Sequence, residues 1–241
     1  QAVADAAPAR TAAAAPRAVP TRRASANDVL HDPFAQPRNN APSVTRAPIN
    51  FTEGFTLYRD ERFDDAIAHF ESIHANSPAA IGQRALATAE DIRQFRSALR
   101  SAKNALSTGD SVQARNALNQ AENADKSLAG GQGYFANSIA ELRAQSFALE
   151  GLEKLEAQAF AEAFELLSRA ESFSPRERET RRLARGLAER ANGLYIRAVN
   201  QRKSDPQGAA SLCRTILTMS PASSDTPRKA RRMLDEINEG S

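Results

Sequence analysis

Few side chains in this 241-residue sequence have the type and spacing that chemistry requires. His31, His69, His74 and Cys213 are the only imidazole and thiol groups. His69 and His74 are five residues apart, which spreads them around a helix instead of converging them on one ion, so they read as surface or half-buried histidines. No Ser-His-Asp or Cys-His arrangement can be assembled, so no catalysis is predicted and no cofactor is called for. Ala129-Gly130-Gly131-Gln132-Gly133 has the glycine content of a phosphate-binding loop. It lacks the following Lys-Ser/Thr, and no strand precedes it, so it reads as a turn.

Charged residues are abundant but mostly interleaved. Glu177, Glu179 and Glu189 stand among Arg176, Arg178, Arg181, Arg182, Arg185 and Arg190, the pattern of a solvated, ion-paired helix face. A second cluster, Arg228, Lys229, Arg231 and Arg232, precedes a final apolar face. Residues 1–50 hold six Arg against three Asp, whereas residues 51–241 hold 26 basic against 26 acidic residues. A neutral folded part without aromatic platforms beside its arginines disfavours nucleic acid and favours an acidic protein partner.

The elements that must position these groups are helical. With no tryptophan and three tyrosines, apolar packing rests on Ala, Leu, Ile and Phe, as close-packed helices require. Residues 1–50 hold seven of the twelve prolines and no glycine, and read as a disordered Ala/Pro/Arg-rich linker, with HDPFAQP at 31–37 a short island in it. One cysteine excludes an intramolecular disulfide. No apolar run approaches the roughly 20 residues that span a bilayer. The first residue is Gln, which fits a removed signal peptide or an anchor upstream. Arginine outnumbers lysine 27 to five, a bias associated with GC-rich bacterial genomes. The expectation is a bacterial protein, membrane-tethered or exported in preference to free in the cytoplasm.

Residues 51–241 are predicted to fold as an all-α domain. Phe51, Phe55 and Tyr58 share one helical face; Arg59-Asp60-Glu61-Arg62 makes a turn; Phe63, Ala66, Ile67, Phe70 and Ile73 resume the helical period until Ser77-Pro78. Further helices are predicted at about 79–107, 111–127, 134–158, 160–173, 175–203, 206–219 and 226–238. Ser174-Pro175-Arg176-Glu177 reads as an N-cap, a proline at the first helical position and a capping glutamate. Ala85, Ile92, Leu99 and Leu106 recur every seven residues, as do Phe135, Leu142 and Leu149. Such stripes could pair between chains, so a homo-oligomer is the alternative to a monomeric domain.

A repeat lies within these helices. Gly54, Phe63, Ala66, Phe70 and Pro78 are matched by Gly151, Phe160, Ala163, Leu167, Ala170 and Pro175. Partial copies stand at Gly109, Asp110, Ala114, Leu118 and Ala121, and at Ala209, Cys213, Ile216 and Pro221. This grid resembles the tetratricopeptide-repeat family: a small residue lets two antiparallel helices approach, bulky residues fill the groove beside it, and proline starts the next helix. The key alanines 66, 114, 163 and 209 are 48, 49 and 46 residues apart. The family unit is ~34, and HEAT-like arrays have a period of ~40–47 without this grid. The resemblance implies a divergent array of antiparallel helical hairpins, a tetratricopeptide-like α-solenoid, with long first helices and a last helix serving as a cap.

In that family the first helices line a concave groove. Carried over by spacing, Phe51, Phe55 and Tyr58 would face it first, then Leu99, Lys103 and Leu106, then Ala148, Leu152 and Leu155, and last Leu194, Ala198 and Gln201. The competing reading is that these apolar residues pack the helices together. The Lys and Asn with which chaperone-binding members clamp a terminal carboxylate are mostly absent. The function the resemblance implies is a non-enzymatic scaffold that binds a peptide or helix of another protein in a bacterial assembly. A self-associating subunit and a nucleic-acid-binding helical repeat are the alternatives.

Overall fold

The computed structural model describes residues 50–220 and 224–239. The linker predicted over 1–50, its 31–37 island and Pro221 lie outside the described residues, Asn50 excepted. The described residues are all-α and contain no strand: α1 (Phe51–Arg59), α2 (Phe63–Asn76), α3 (Ala79–Thr108), α4 (Ser111–Ala129), α5 (Ala136–Glu156), α6 (Phe160–Phe173), α7 (Arg178–Gln201), α8 (Pro206–Thr218) and α9 (Asp225–Glu239). Each helix packs mainly on its neighbours in sequence, and α5 and α7 also pack extensively on each other.

Helix ends follow local chemistry. Asn50, Asp110 and Asp205 accept hydrogen bonds from Glu53 N, Gln113 N and Gly208 N, each satisfying a donor left free in a first turn. One predicted start is displaced. Ser174 and Pro175 do not open α7; Glu177 caps it, accepting from Thr180 N at 2.8 Å. Ser174 is extended and still bonded to Ala170 O, so the chain needs three more residues to turn before a new helix begins. The first hairpin joins two short helices, α1 of 9 residues and α2 of 14, and the long first helices begin with α3.

The hairpin turns repeat at the spacing of the alanines. Glu61, Gly109 and Gln158 each have positive φ (60°, 82° and 61°), and each stands five residues before its key alanine. In all three the next residue's N–H reaches back five residues, at 2.9 Å: Arg62 to Leu57 O, Asp110 to Ala105 O, Ala159 to Lys154 O. The left-handed residue itself donates three back, to Tyr58, Leu106 and Leu155, at 3.1–3.3 Å. This is a Schellman closure, which satisfies carbonyls left free at a helix C-terminus. The fourth turn, before Ala209, lacks the left-handed residue.

Ala66, Ala114, Ala163 and Ala209 are all fully buried. Close approach also explains two glycines: a Cβ on Gly54 would stand 2.6 Å from the Phe70 ring, and one on Gly151 2.3 Å from Leu183 Cδ2. The apolar interior falls into two main clusters. The first, from α1 to the start of α5, is aromatic, with Tyr58, Phe70, Phe95 and Phe135 buried. The second, from α6 to α9, is aliphatic, built on residues such as Leu183, Leu187, Ile216 and Met219. Between them Arg143 binds Glu122 (2.8 Å) and Arg115 binds Glu150 (2.7 Å), while Phe147 and Phe173 stack at 5.8 Å. Hydrogen bonds from Lys126 and Arg143 hold the Glu122 carboxyl below its usual range.

Candidate functional site

The twelve predicted groove residues do not form one surface. Tyr58, Leu99, Leu106, Ala148, Leu194 and Ala198 are buried in helix packing. Phe51 and Phe55 are half-buried against the Phe70 ring, with centroids 5.5 and 5.3 Å away. Leu152 and Leu155 pack against the aliphatic cluster. Gln201 is half-buried at the end of α7, and Lys103 alone among them is exposed. Ala85, Ile92, Leu99 and Leu106, the seven-residue stripe of α3, are all buried within the chain.

Lys103 and Leu99 do meet at a recess. One hollow of about 500 Å³ lies between the α1–α2 turn and α3, and another of about 280 Å³ reaches across α5 to Glu177. The two share Glu61, Leu99 and Lys103, with Phe63, Phe135 and Leu142 as further apolar lining. Helix α3 presents Arg96, Arg100 and Lys103 at steps of four and three, so all three face one way. Arg96 pairs with Asp64, and Arg62 with Asp65 at 2.7 Å. Arg100, Lys103, Glu61 and Glu141 have no ion-pair partner among the described residues. The recess therefore combines an apolar floor with charges of both signs that can still be paired, which suits a peptide or helix of mixed charge.

The two histidines among the described residues are occupied structurally. His69 Nε2 lies 2.8 Å from Asn50 O, and His74 Nδ1 3.0 Å from Gly82 O. Among the described residues no three His, Cys, Asp or Glu side chains cluster as metal ligands would. Cys213 is buried, and burial pushes its thiol pKa up.

The Gly-rich turn has a role that sequence reasoning missed. Asp125, nearly fully buried, accepts from Tyr58 Oη (2.9 Å), Tyr134 N (3.0 Å) and Phe135 N (2.8 Å). It thereby ties α1 and α4 to the segment that starts α5. A Cβ on Gly133 would fall 2.0 Å from Asp125 Oδ2, so the loop must carry glycine there. Burial first, and the Asp125 carboxylate second, push the Tyr58 pKa well above the ordinary phenol range. The signal was in the sequence: Ala114, Leu118, Ala121, Asp125 and Leu128 run at steps of four and three, so Asp125 occupies a core position.

Reasoning from spacing also missed Ile196 and Val199, which are 53 % and 46 % exposed on the side of α7 away from Leu183, Leu187 and Leu194. No helix among the described residues is long and apolar enough to cross a membrane. No family model matches this chain, and no curated protein or solved structure matches it.

Proposed function

We propose that this chain is a non-enzymatic scaffold, a divergent tetratricopeptide-like array of helical hairpins that holds a segment of another protein in the recess beside α3. Its Ala/Pro/Arg-rich N-terminal stretch acts as the tether to a bacterial assembly. The observation that carries this reading is the recess of mixed character, floored by Phe63, Leu99, Phe135 and Leu142 and rimmed by Glu61, Arg100, Lys103 and Glu141, none of the four charges paired within the described residues. The alanine grid and the three matching Schellman turns support the repeat. Self-association through the α3 stripe has less behind it, because those side chains are already buried against the chain's own helices.

The test is affinity capture from the source cells with the full chain as bait, at moderate salt, read by mass spectrometry. A discrete partner is expected with the wild type and is expected to be lost with Lys103→Glu combined with Arg100→Glu. Both side chains are exposed and unpaired, so circular dichroism should be unchanged. Retention of the same partner by the double variant, or a measured turnover of a small molecule, would overturn the reading. Recovery of bait alone, or of nuclease-sensitive material, would redirect it to self-assembly or nucleic acid.

A further inference from the structure

Helix α9 carries its charges in the wrong order for a helix standing alone. Pro227, Ala230, Met233 and Ile237 face inward, where α9 packs on α8 and α7. Arg228, Arg232, Asp235 and Glu239 follow at steps of four, three and four on the opposite face, all of them exposed. The signs are segregated. Arg228, Lys229, Arg231 and Arg232 come first, and Asp235, Glu236 and Glu239 come last. Asp225 binds Arg228, and Arg202 of α7 binds Glu236 at 2.8 Å. Arg231, Arg232, Asp235 and Glu239 have no ion-pair partner among the described residues.

This order works against the helix. Arg228 stands in the first turn and Glu236 and Glu239 in the last, and each opposes the helix dipole. Arg228 with Arg232, and Asp235 with Glu239, are like charges four residues apart, a spacing at which they repel. Elsewhere the same spacing is attractive, as where Glu122 pairs with Lys126. The chain's own packing gives no reason for the order, because the four outward side chains point away from it.

The order does have a symmetry. Arg228 and Glu239, Arg231 and Glu236, and Arg232 and Asp235 stand at equal distances from the point between Met233 and Leu234. An identical helix laid antiparallel on the outward face, about a two-fold axis beside that point, sets each outward cation against a carboxylate.

We infer that α9 pairs antiparallel with the α9 of a second copy of this chain, through Arg228–Glu239 and Arg232–Asp235 contacts made twice. The Arg232–Asp235 contacts lie nearest the axis and engage groups that are otherwise unpaired. The dipoles of the two helices add to the attraction, since each N-terminus lies beside the other's C-terminus. A polyanion or a wholly acidic segment is disfavoured, because Asp235, Glu236 and Glu239 would repel half of it. A helix of 15 residues spans roughly 22 Å, a small interface, so the pair is weak and salt-sensitive.

The test is the mass of the full chain in solution, read by sedimentation equilibrium over a range of concentration. At about 20 mM salt the mass should rise from 26.1 kDa towards twice that value, and about 0.5 M salt should return it to the monomer. Arg232→Asp and Asp235→Arg each place like charges beside the axis and should weaken the dimer at least about tenfold. Both positions are exposed, so circular dichroism should be unchanged. Mixing the two variants sets every reversed charge against an opposite one and should restore association as a mixed pair. Lys103→Glu combined with Arg100→Glu should leave the dimer as it is, which separates this contact from the α3 recess. A wild type that stays monomeric at low salt, a dimer that survives both single reversals, or a mixture that stays monomeric would overturn the inference. Loss of the dimer with the Lys103 and Arg100 reversals would also overturn it, by moving the contact to the recess.

Discussion

The two halves of the helical region, residues 51–158 and 159–241, are held together by different forces. Residues 51–158 carry 11 basic and 15 acidic residues, and residues 159–241 carry 15 and 11, so the neutral whole is the sum of an acidic and a basic half. In the first half the interior is aromatic: Tyr58, Phe63, Phe95 and Phe135 pack with ring centroids 4.9–5.9 Å apart around one buried carboxylate. In the second half Phe160, Phe164 and Tyr195 stay at the margin of an aliphatic cluster. The difference teaches that the backbone repeat does not dictate the core. A first hairpin with a short α1 has little helix to bury, and it is anchored instead by large rings and a polar tie that reaches α4 and α5. Helices α5 and α7 are long enough to lie against each other directly.

The widest gap between the halves is expected at Asp125. Asp125→Ala strands the Tyr58 hydroxyl and two backbone N–H groups in a buried site and should destabilise the fold by about 3 kcal/mol or more. The buried polar side chain of the second half, Thr180, bonds only Glu177, so Thr180→Val should cost about 1 kcal/mol. Urea unfolding of the two variants measures both, and equal losses would show that the tie is not what distinguishes the first half.

The paired glycines sharpen the contrast. A Cβ on Gly54 meets the flat Phe70 ring, itself flanked by Phe51 and Phe55, whereas one on Gly151 meets the end of the Leu183 side chain. A ring cannot fold away as an isobutyl group can. Gly54→Ala should destabilise by about 2 kcal/mol and Gly151→Ala by about half of that, after the helix-propensity gain common to both. Thermal unfolding of the two single variants reads the difference.

High pH should act on the first half through Tyr58. Its phenol is held neutral in the fold, with its pKa raised by burial and by Asp125. A raised value means that the contribution is present below the unfolded pKa, near 10, and is lost as pH rises above it. Between pH 10 and 11 the wild type should lose about 1 kcal/mol more than Tyr58→Phe, which has no proton to release. Parallel curves for the two proteins would place the alkaline loss elsewhere.

Much of this fold could be read from the sequence, for identifiable reasons. Gly109, Asp110, Asp205 and Pro206 are strong local punctuation, and the helices beside them begin or end within about two residues of the predicted positions. Ser174-Pro175 misled because a proline that starts a turn and one that starts a helix look alike until the next cap, Glu177, is placed. The docking residues were harder. Spacing taken from a shorter repeat does not say which face of a longer helix looks outward, since each residue added rotates the face by about 100°. Hence Tyr58, Leu99 and Leu194 proved to be interior, Lys103 fell at the recess, and Ile196 and Val199 were passed over.

The two matching turns, one below the aromatic cluster and one at the boundary with the aliphatic cluster, provide the finest test. Gly109 and Gln158 occupy the same left-handed position in the same closure, yet only one is glycine. A side chain in that conformation costs roughly 1 kcal/mol relative to glycine. Gln158→Gly should therefore stabilise the fold by somewhat under about 1 kcal/mol, because the extra freedom of glycine in the unfolded chain takes back part of the gain. Gly109→Ala should destabilise it by about 1 kcal/mol, since a Cβ there has room but the wrong backbone angle. Opposite signs at two positions of one geometry would mean that the turn itself sets the energetics, independently of the aromatic or aliphatic core beneath it. The same sign at both would mean that the neighbouring helices impose the turn and that the left-handed residue only accommodates it.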